Sequence, residues 1–318
     1  MSRTRDIIQE IADIRKRRLF GFSIAELTMR LFELEQTFKN HDKNETELFR
    51  YYPVALIACL EGYFRMAIKE LIDAGEPYLS NAEKPASALK LDFSVLRAVH
   101  GKTITVGELV AHGIQLSRLH DIEAVLSSLL GKGFLDSLRT TKDRWAHEVM
   151  GEPDLPILSE PDQVFSDVAR TFELRHIICH EIASAYEINS DEVGRCFESC
   201  VTFLKAANEF ISETMQPGAP LTQTAMNIAA EQSLNEKQEQ LGKVLEALRS
   251  RLSETEITAL NESQANWQLY CDTWASFVAG ERIGGGTIWP LIYDSAAEAL
   301  VEQRLDEVKG FKRPNETT

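Results

Sequence analysis

The sequence predicts an all-α protein, with a large helical domain followed by a smaller one. Three observations carry this. Apolar residues recur at helical spacing along nearly the whole chain, Pro and Gly mark the breaks between such stretches, and no run reads as a convincing strand. At 318 residues the chain also exceeds what one core comfortably serves, since single hydrophobic cores stop growing near about 250–300 residues.

Residues 4–39 read as two helices broken near Gly21. The first is polar with Ile7, Ile8, Ile11 and Ile14 at helical spacing; the second carries Leu27, Leu31 and Leu34. A polar loop from His41 leads to Thr46 and Glu47, which open the most apolar helix of the chain; Gly75 and Pro77 stop it after about Ala74. Its stripe of Tyr52, Val54, Leu56, Ile57, Leu60, Phe64, Ile68 and Leu71 is wide enough to be buried on most sides. Shorter helices separated by Gly101, Gly113, Gly131 and Gly133 fill Asp92 to Leu138. A turn-rich connector from Gly151 to Pro161 precedes a helix expected to run from Pro161 to about Ala185, and a last one from Ser190 to Met215 closes the domain. Ser190 with Val193 is half a capping box, and Asp191 and Glu192 suit a helix start.

Pro217 and Pro220 around Gly218 make the best linker, because they end one helix and permit no new one. The expected domains are therefore 1–44 as N-terminal helices packed on the bundle, 45–215 as the main helical domain, 216–224 as linker and 225–318 as the second domain. Within the last, Leu234, Leu241, Val244, Leu245, Leu248 and Leu252 outline one helix. Ser253 with Glu256 is a capping box opening another, Gly284 to Gly286 form a loop, and Tyr293 to Phe311 form the final helix.

Hydrophobic residues make up 44% and charged residues 26%, an ordinary globular balance. The first residues show no apolar segment of signal-peptide type, and runs such as Val54 to Leu60 fall far short of the roughly 18–20 residues that cross a bilayer, so a cytoplasmic location without a membrane partner is expected. Five cysteines, an odd number with no CxxC pair, read as reduced and mostly buried. A net charge of −15 excludes a protein that coats nucleic acid by bulk attraction, so any RNA site is local. The basic run Arg15 to Arg18 reads as a solvated helix face.

Chemistry concentrates between Phe172 and Glu181, where Glu173, Arg175, His176, His180 and Glu181 interrupt an apolar helix. His176 and His180, four apart, share a face and with Glu173 or Glu181 could hold a metal ion. The stretch is not HExxH, however, and offers no identifiable third ligand, so neither metal nor cofactor is expected. Arg175 and His180, five apart, point about 140° away from each other on an ideal helix. Arg144 and His147 form a weaker cluster read as structural or substrate-side, and Cys59, Cys196 and Cys200 read as core.

The arginine, the polar residue after it and the histidine five positions on resemble the Rx4-6H signature of the HEPN family, placed on the penultimate helix of a helical domain. Tyr51 to Arg65, with Glu61 embedded in Leu60-Glu-Gly-Tyr-Phe-Arg65, is similar to the opening helix of larger HEPN domains of bacterial conflict and stress systems. The resemblance covers about residues 45–215. It implies a metal-independent RNA endonuclease of a bacterial stress, toxin–antitoxin or antiphage system, in which a ribose 2′-hydroxyl attacks the adjacent phosphorus and leaves a 2′,3′-cyclic phosphate. Arg175 and His180 would be catalytic, with His176, Glu61, Glu181 and Arg65 supporting or binding substrate, and Glu61 orienting Arg65 or Arg175. HEPN sites are generally composed across a two-fold interface, which the 140° divergence also favours, so a homodimer is expected. An antitoxin or phage-derived trigger is a further partner the resemblance allows. The alternative is a catalytically inactive HEPN-like interaction module.

The C-terminal part resembles another family. Leu234-Asn235, Gln264-Ala-Asn-Trp267-Gln-Leu-Tyr270, Gly284-Gly-Gly-Thr-Ile288 and Arg304-Leu-Asp-Glu-Val308 are similar to the LprI-type domain, a helical module associated with lysozyme inhibition in secreted proteins, over about 225–312. Cys271 replaces the arginine that usually follows the aromatic residue, and the cysteines that pair in secreted members are absent, with Ala275 and Ala296 in those regions. A recognition or regulatory module is expected, with Trp267, Trp274 and Trp289 supplying a core and an exposed anchor.

Overall fold

The computed structural model describes residues 7–311 except 20, 22, 43–44, 88, 90–91, 182–185 and 281–287. Among the described residues the regular elements are helices, beside one isolated antiparallel bridge between Lys142 and Pro156. The chain divides into two compact units, Met1–Pro217 and Gly218–Thr318.

In the first unit α1 (Ile7–Lys16) and α2 (Ser23–Asn40) precede the long α3 (Thr46–Asp73). The short α4 (Tyr78–Asn81) and α5 (Glu83–Ala86) lead to α6 (Phe93–His100), α7 (Val106–Gly113), α8 (Leu119–Leu130) and α9 (Phe134–Leu138). A π-helical turn, Trp145–Val149, comes before α10 (Pro161–His180) and α11 (Ser190–Met215).

Helix α3 is the axis of this unit, with α2, α7, α10 and α11 packed on it. Tyr52, Leu56, Leu60, Phe64, Ala67, Ile68 and Leu71 have no exposed surface, which a helix this apolar achieves only when surrounded by others. Pro53 removes one backbone hydrogen bond from α3, a cost of about 3 kcal/mol in a helix interior. Burying Leu56 and Ile57 offsets it, at about 1.5–3 kcal/mol for each such side chain. Around Phe64 the rings of Phe134 and Phe203 meet at 5.9 Å each, joining α3 to α9 and α11.

Helix α3 also clamps both ends of α7. Asp73 accepts from Thr105 Oγ1 at 2.8 Å and from Gly107 N at 2.9 Å, while Arg65 donates to the carbonyls of Ala111 and Ile114 at 2.7 and 2.8 Å. A carboxylate thus sits at the positive end of α7 and a guanidinium at its negative end. Thr105 and Glu108 complete a capping box. The approach is close enough that a Cβ on Gly107 would lie 2.4 Å from the Lys69 carbonyl oxygen. The basic run differs from the expected solvated face: Arg15 pairs with Glu108 at 2.6 Å, tying α1 to α7, and Arg18 is half-buried.

Between α10 and α11 the seam is partly polar. Ser199 Oγ donates to Asp167 Oδ2 at 2.9 Å, and Cys200 Sγ reaches Thr171 Oγ1 at 3.5 Å. Burial pushes the Cys200 thiol up to about 12 and those of Cys59, Cys196 and Cys271 upward as well. Helix α10 ends at His180, short of the expected Ala185; residues 182–185 lie outside the described residues. Past it, Tyr186 is pinned: Arg50 donates to its carbonyl at 2.9 Å and Arg170 to its hydroxyl. Helix α11 is capped by Asn189, not by a half box at Ser190, because the Asn189 amide oxygen reaches Asp191 N at 2.8 Å and also Glu192 N.

The second unit holds α12 (Gln223–Arg249), α13 (Glu254–Ala279) and α14 (Trp289–Gly310), with α14 packed on both others. Its core is Leu234, Leu241, Leu245, Cys271, Ala275, Ala297, Val301, Leu305 and Val308. The Ser253–Glu256 capping box is in place at the start of α13. The glycine loop from Gly284 to Gly286 lies outside the described residues. No helix among the described residues is long and apolar enough to cross a membrane.

Two outcomes follow from this packing. Gly107→Ala should lower unfolding free energy by about 1–3 kcal/mol, the usual cost of overpacking, read as a reduced denaturation midpoint. Of the five thiols only Cys179 is exposed, so a thiol reagent should label one cysteine per folded chain rapidly and the other four only after denaturant is added.

Candidate functional site

The last two turns of α10 divide by burial. Phe172 and Leu174 are 5% and 0% exposed, and Phe172 belongs to the core of the bundle. His176, Cys179 and His180 are exposed and Arg175 is half-buried. Arg175 Nη1 lies 3.3 Å from His180 Nε2, so the pair meets within one chain. This differs from the expected divergence of about 140°, and the reason is reach: the long arginine side chain spans the turn to the terminal residue of the helix. The two-fold interface is therefore not needed to bring this pair together. The His176 and His180 rings are 5.1 Å apart between centroids, as their i, i+4 spacing dictates.

Guanidinium carries only donors, so this contact is a hydrogen bond when His180 presents its Nε2 lone pair to Arg175. One turn back, Arg170 is committed to structure. It bonds Glu192 at 2.8 Å and Glu173 at 2.6 Å, and these carboxylates hold its pKa well above the ordinary arginine value.

Arg175, His176 and His180 line a cleft of about 630 Å3 together with Ala169, Phe172 and Glu173 from α10. Its other wall is Ser117, Arg118, Leu119 and His120, at the entry to α8. Sequence reading missed Arg118 and His120. They stand 55 or more residues before the motif, and the one local sign is two cationic-capable residues flanking an apolar one, a pattern common on any helix start.

The supporting residues are distributed differently from the expectation. Neither Glu61 nor Arg65 lines the cleft. The Arg65 guanidinium is spent on the terminal carbonyls of α7, and among the described residues Glu61, half-buried, makes no hydrogen bond or ion pair with Arg65 or Arg175. The orienting role expected of Glu61 is thus not what the packing provides. Glu181 is the exposed C-cap residue of α10, its N–H bonded to the Ile177 carbonyl. The second Arg/His cluster is structural: Arg144 holds Glu148 at 2.8 Å and Glu213 at 2.6 Å, and His147 Nδ1 lies 3.0 Å from the Glu152 carbonyl. Among the described residues no group of three or more His, Cys, Asp and Glu side chains could hold a metal ion.

In the second unit the separated motif residues converge. Arg304 extends over the Trp267 ring, 5.9 Å from its centroid, and donates to Gln264 Oε1 at 3.3 Å and Ser263 Oγ at 3.1 Å. Cys271 is buried, its Sγ 3.9 Å from the Ala297 carbonyl, and Ala275 is fully buried beside it. Of the tryptophans, Trp274 is exposed and stacks with Tyr270, whereas Trp267 packs against the core.

Comparison with known proteins agrees with the second unit and is silent on the first. A model of the family described as Lysozyme inhibitor LprI matches residues 215–308, and no HEPN family match accompanies it. No curated protein and no solved structure matches the chain. Residues 215–308 thus form an LprI-like domain, carried behind an all-helical unit with a cationic cleft.

Proposed function

We propose that the first unit is an RNA endonuclease that needs no divalent metal. The observation that supports it most is the Arg175–His180 contact at 3.3 Å inside a cleft that also collects His176. In this reading the His180 lone pair takes the proton of a ribose 2′-hydroxyl, and the 2′ oxygen attacks the adjacent phosphorus. Arg175 forks onto the phosphate oxygens, where charge grows. The bond from phosphorus to the 5′ oxygen breaks, and protonated His176 returns a proton to that oxygen. The products are a 2′,3′-cyclic phosphate and a 5′-hydroxyl. A role in bacterial stress, toxin–antitoxin or antiphage defence rests on the resemblance of residues 45–215 to HEPN domains, as do a homodimeric state and an antitoxin or phage-derived trigger.

The second reading is a catalytically inactive HEPN-like interaction protein, and the net charge of −15, which repels RNA away from the cleft, favours it. The LprI-like domain is read as a regulatory or sensing module. Residues 218–318 hold nine Lys plus Arg against fifteen Asp plus Glu, the charge sign of a competitor for a cationic cleft. Its buried Ala275 and partly buried Ala296, in the regions where secreted members carry pairing cysteines, support a role other than secreted lysozyme inhibition.

Purified protein incubated with RNA in chelator should leave cyclic-phosphate ends. His180→Ala should slow cleavage by about 10²–10⁴-fold and Arg175→Ala by about 10²–10³-fold, with unchanged helical content. Cleavage that persists in both folded variants, or that requires added zinc, would overturn the reading. Because one chain brings the pair together, co-expressed Arg175→Ala and His180→Ala subunits should not restore activity; restoration would show a site shared between copies. Truncation after Gln216 should raise RNase activity, and unchanged activity in a soluble truncated protein would remove the regulatory role.

A further inference from the structure

The described arginines of the first unit are mostly spent on carboxylates or carbonyls. Arg15, Arg139, Arg144 and Arg170 each hold a carboxylate within 2.6 Å, and Arg65 holds carbonyl oxygens. Arg118, like the exposed Arg17, Arg97 and Arg195, has no such partner, and it alone of these stands in the cleft. Among the described residues it has no hydrogen bond or ion pair from its side chain, and it is exposed in the wall of the cleft. His120, two residues on, is likewise exposed and unpaired there. The cleft's one lining carboxylate, Glu173, is already bonded to Arg170. Two arginines and three histidines therefore line one cleft with no free carboxylate among its lining residues, on a protein of net charge −15. Arg118 and Arg175 carry the fixed positive charge of that cleft, and the histidines add hydrogen-bonding nitrogens beside it, a lining that an anion complements.

The wall that carries Arg118 and His120 is built. Leu119 between them is buried and pinned to the core, and Ser117 is fixed by two bonds to Asp121 Oδ2, from its N at 3.0 Å and its Oγ at 2.9 Å. Arg118 itself is extended, with its carbonyl accepting from Asp121 N at 3.0 Å, so the side chains on either side of Leu119 leave from a fixed backbone. Leu119, Ala169 and Phe172 add an apolar lining between the two cationic walls. Apolar surface beside separated cations suits a single-stranded nucleic acid, whose backbone presents successive phosphates and whose bases and riboses present apolar faces.

We propose that Arg118 and His120 form a second phosphate subsite, which holds the RNA phosphate next to the one gripped by Arg175. This rests on the nuclease reading for the identity of the strand, and on the cleft alone for the anion site. Arg118 and His120 bind and position; they take no part in bond breaking. Their contribution is made equally in ground and transition states, so their loss raises KM and leaves kcat in place.

The test uses the full-length chain and an oligoribonucleotide carrying 2′-O-methyl groups, which removes the attacking hydroxyl and leaves the phosphates. By fluorescence anisotropy, Arg118→Gln and His120→Gln should each weaken binding by about tenfold, and Arg118→Gln should also flatten the salt dependence by about 0.7 in log–log slope. On a cleavable oligomer Arg118→Gln should raise KM with kcat within about twofold, whereas on a dinucleoside monophosphate, which has only the scissile phosphate, it should change nothing. Binding and salt slope identical to those of the unmodified chain overturn the subsite, as does a fall in kcat on the dinucleotide. If Arg118-dependent binding is present but ordinary RNA stays intact, the subsite stands and the nuclease reading falls. If RNA is cut with Arg118 dispensable, the reverse holds, and if the strand does not bind at all, both fall.

Discussion

Burial of α3 on nearly every side is the constraint from which the first unit is assembled. Once Tyr52, Leu56, Leu60, Phe64, Ile68 and Leu71 must all leave water, no single partner helix suffices, and α2, α7, α10 and α11 are recruited as a shell. The few polar residues that α3 retains near its end are put to use at its edges. Asp73 and Arg65 grip the two ends of α7, and this charge arrangement sets where that helix lies and what direction it runs. The cleft inherits its position from this shell, because α10 is held to α3 and α11 by Val168, Phe172 and the Thr171–Cys200 contact, while His176, Cys179 and His180 in its last turns stay exposed.

That exposure explains why reactive residue types survive in an apolar helix. Arg175, His176 and His180 occupy the stretch where α10 runs out of bundle to cover it, and the chain stops being helical at His180. Both residues of the i, i+5 pair lie within α10, so the separation between their backbones is that of a helix and the reach of the arginine side chain closes it. Neighbouring Arg170 shows the contrasting fate of the same residue type: locked between Glu192 and Glu173, it serves packing and leaves the cleft to others.

The second unit solves a smaller problem with the same means. Three helices bury a narrow core of leucines, valines and alanines, and α14 sits between the other two. Cys271 and Ala275 occupy that core as small residues that let α13 approach α14 closely, so cohesion comes from packing, with one free thiol and no disulfide. The stacking of Arg304 over Trp267, with Gln264 and Ser263 holding the guanidinium, gives the LprI-like match a physical content: residues 40 positions apart in sequence form one contact.

Much of this was legible in the residues themselves. Helical period, the width of the α3 stripe and the Ser253–Glu256 box are local properties, and local physics decides them, so the all-α class and the long helices follow without knowing the packing. The dense run from Arg175 to Glu181 could also be singled out, because charge in an apolar helix is unusual wherever that helix lies. The amino-acid order could not say how that run is completed. Spacing alone put Arg175 and His180 on diverging faces, and only the reach of the arginine brings them into contact. It could not pair Arg118 and His120 with them, since that meeting depends on α8 packing beside α10, nor could it foresee that Arg65 would be consumed by the carbonyls of α7. What a residue is comes from the chain; which partners are left over for it is decided only after every helix has found its place, because a side chain already satisfied elsewhere is lost to the site.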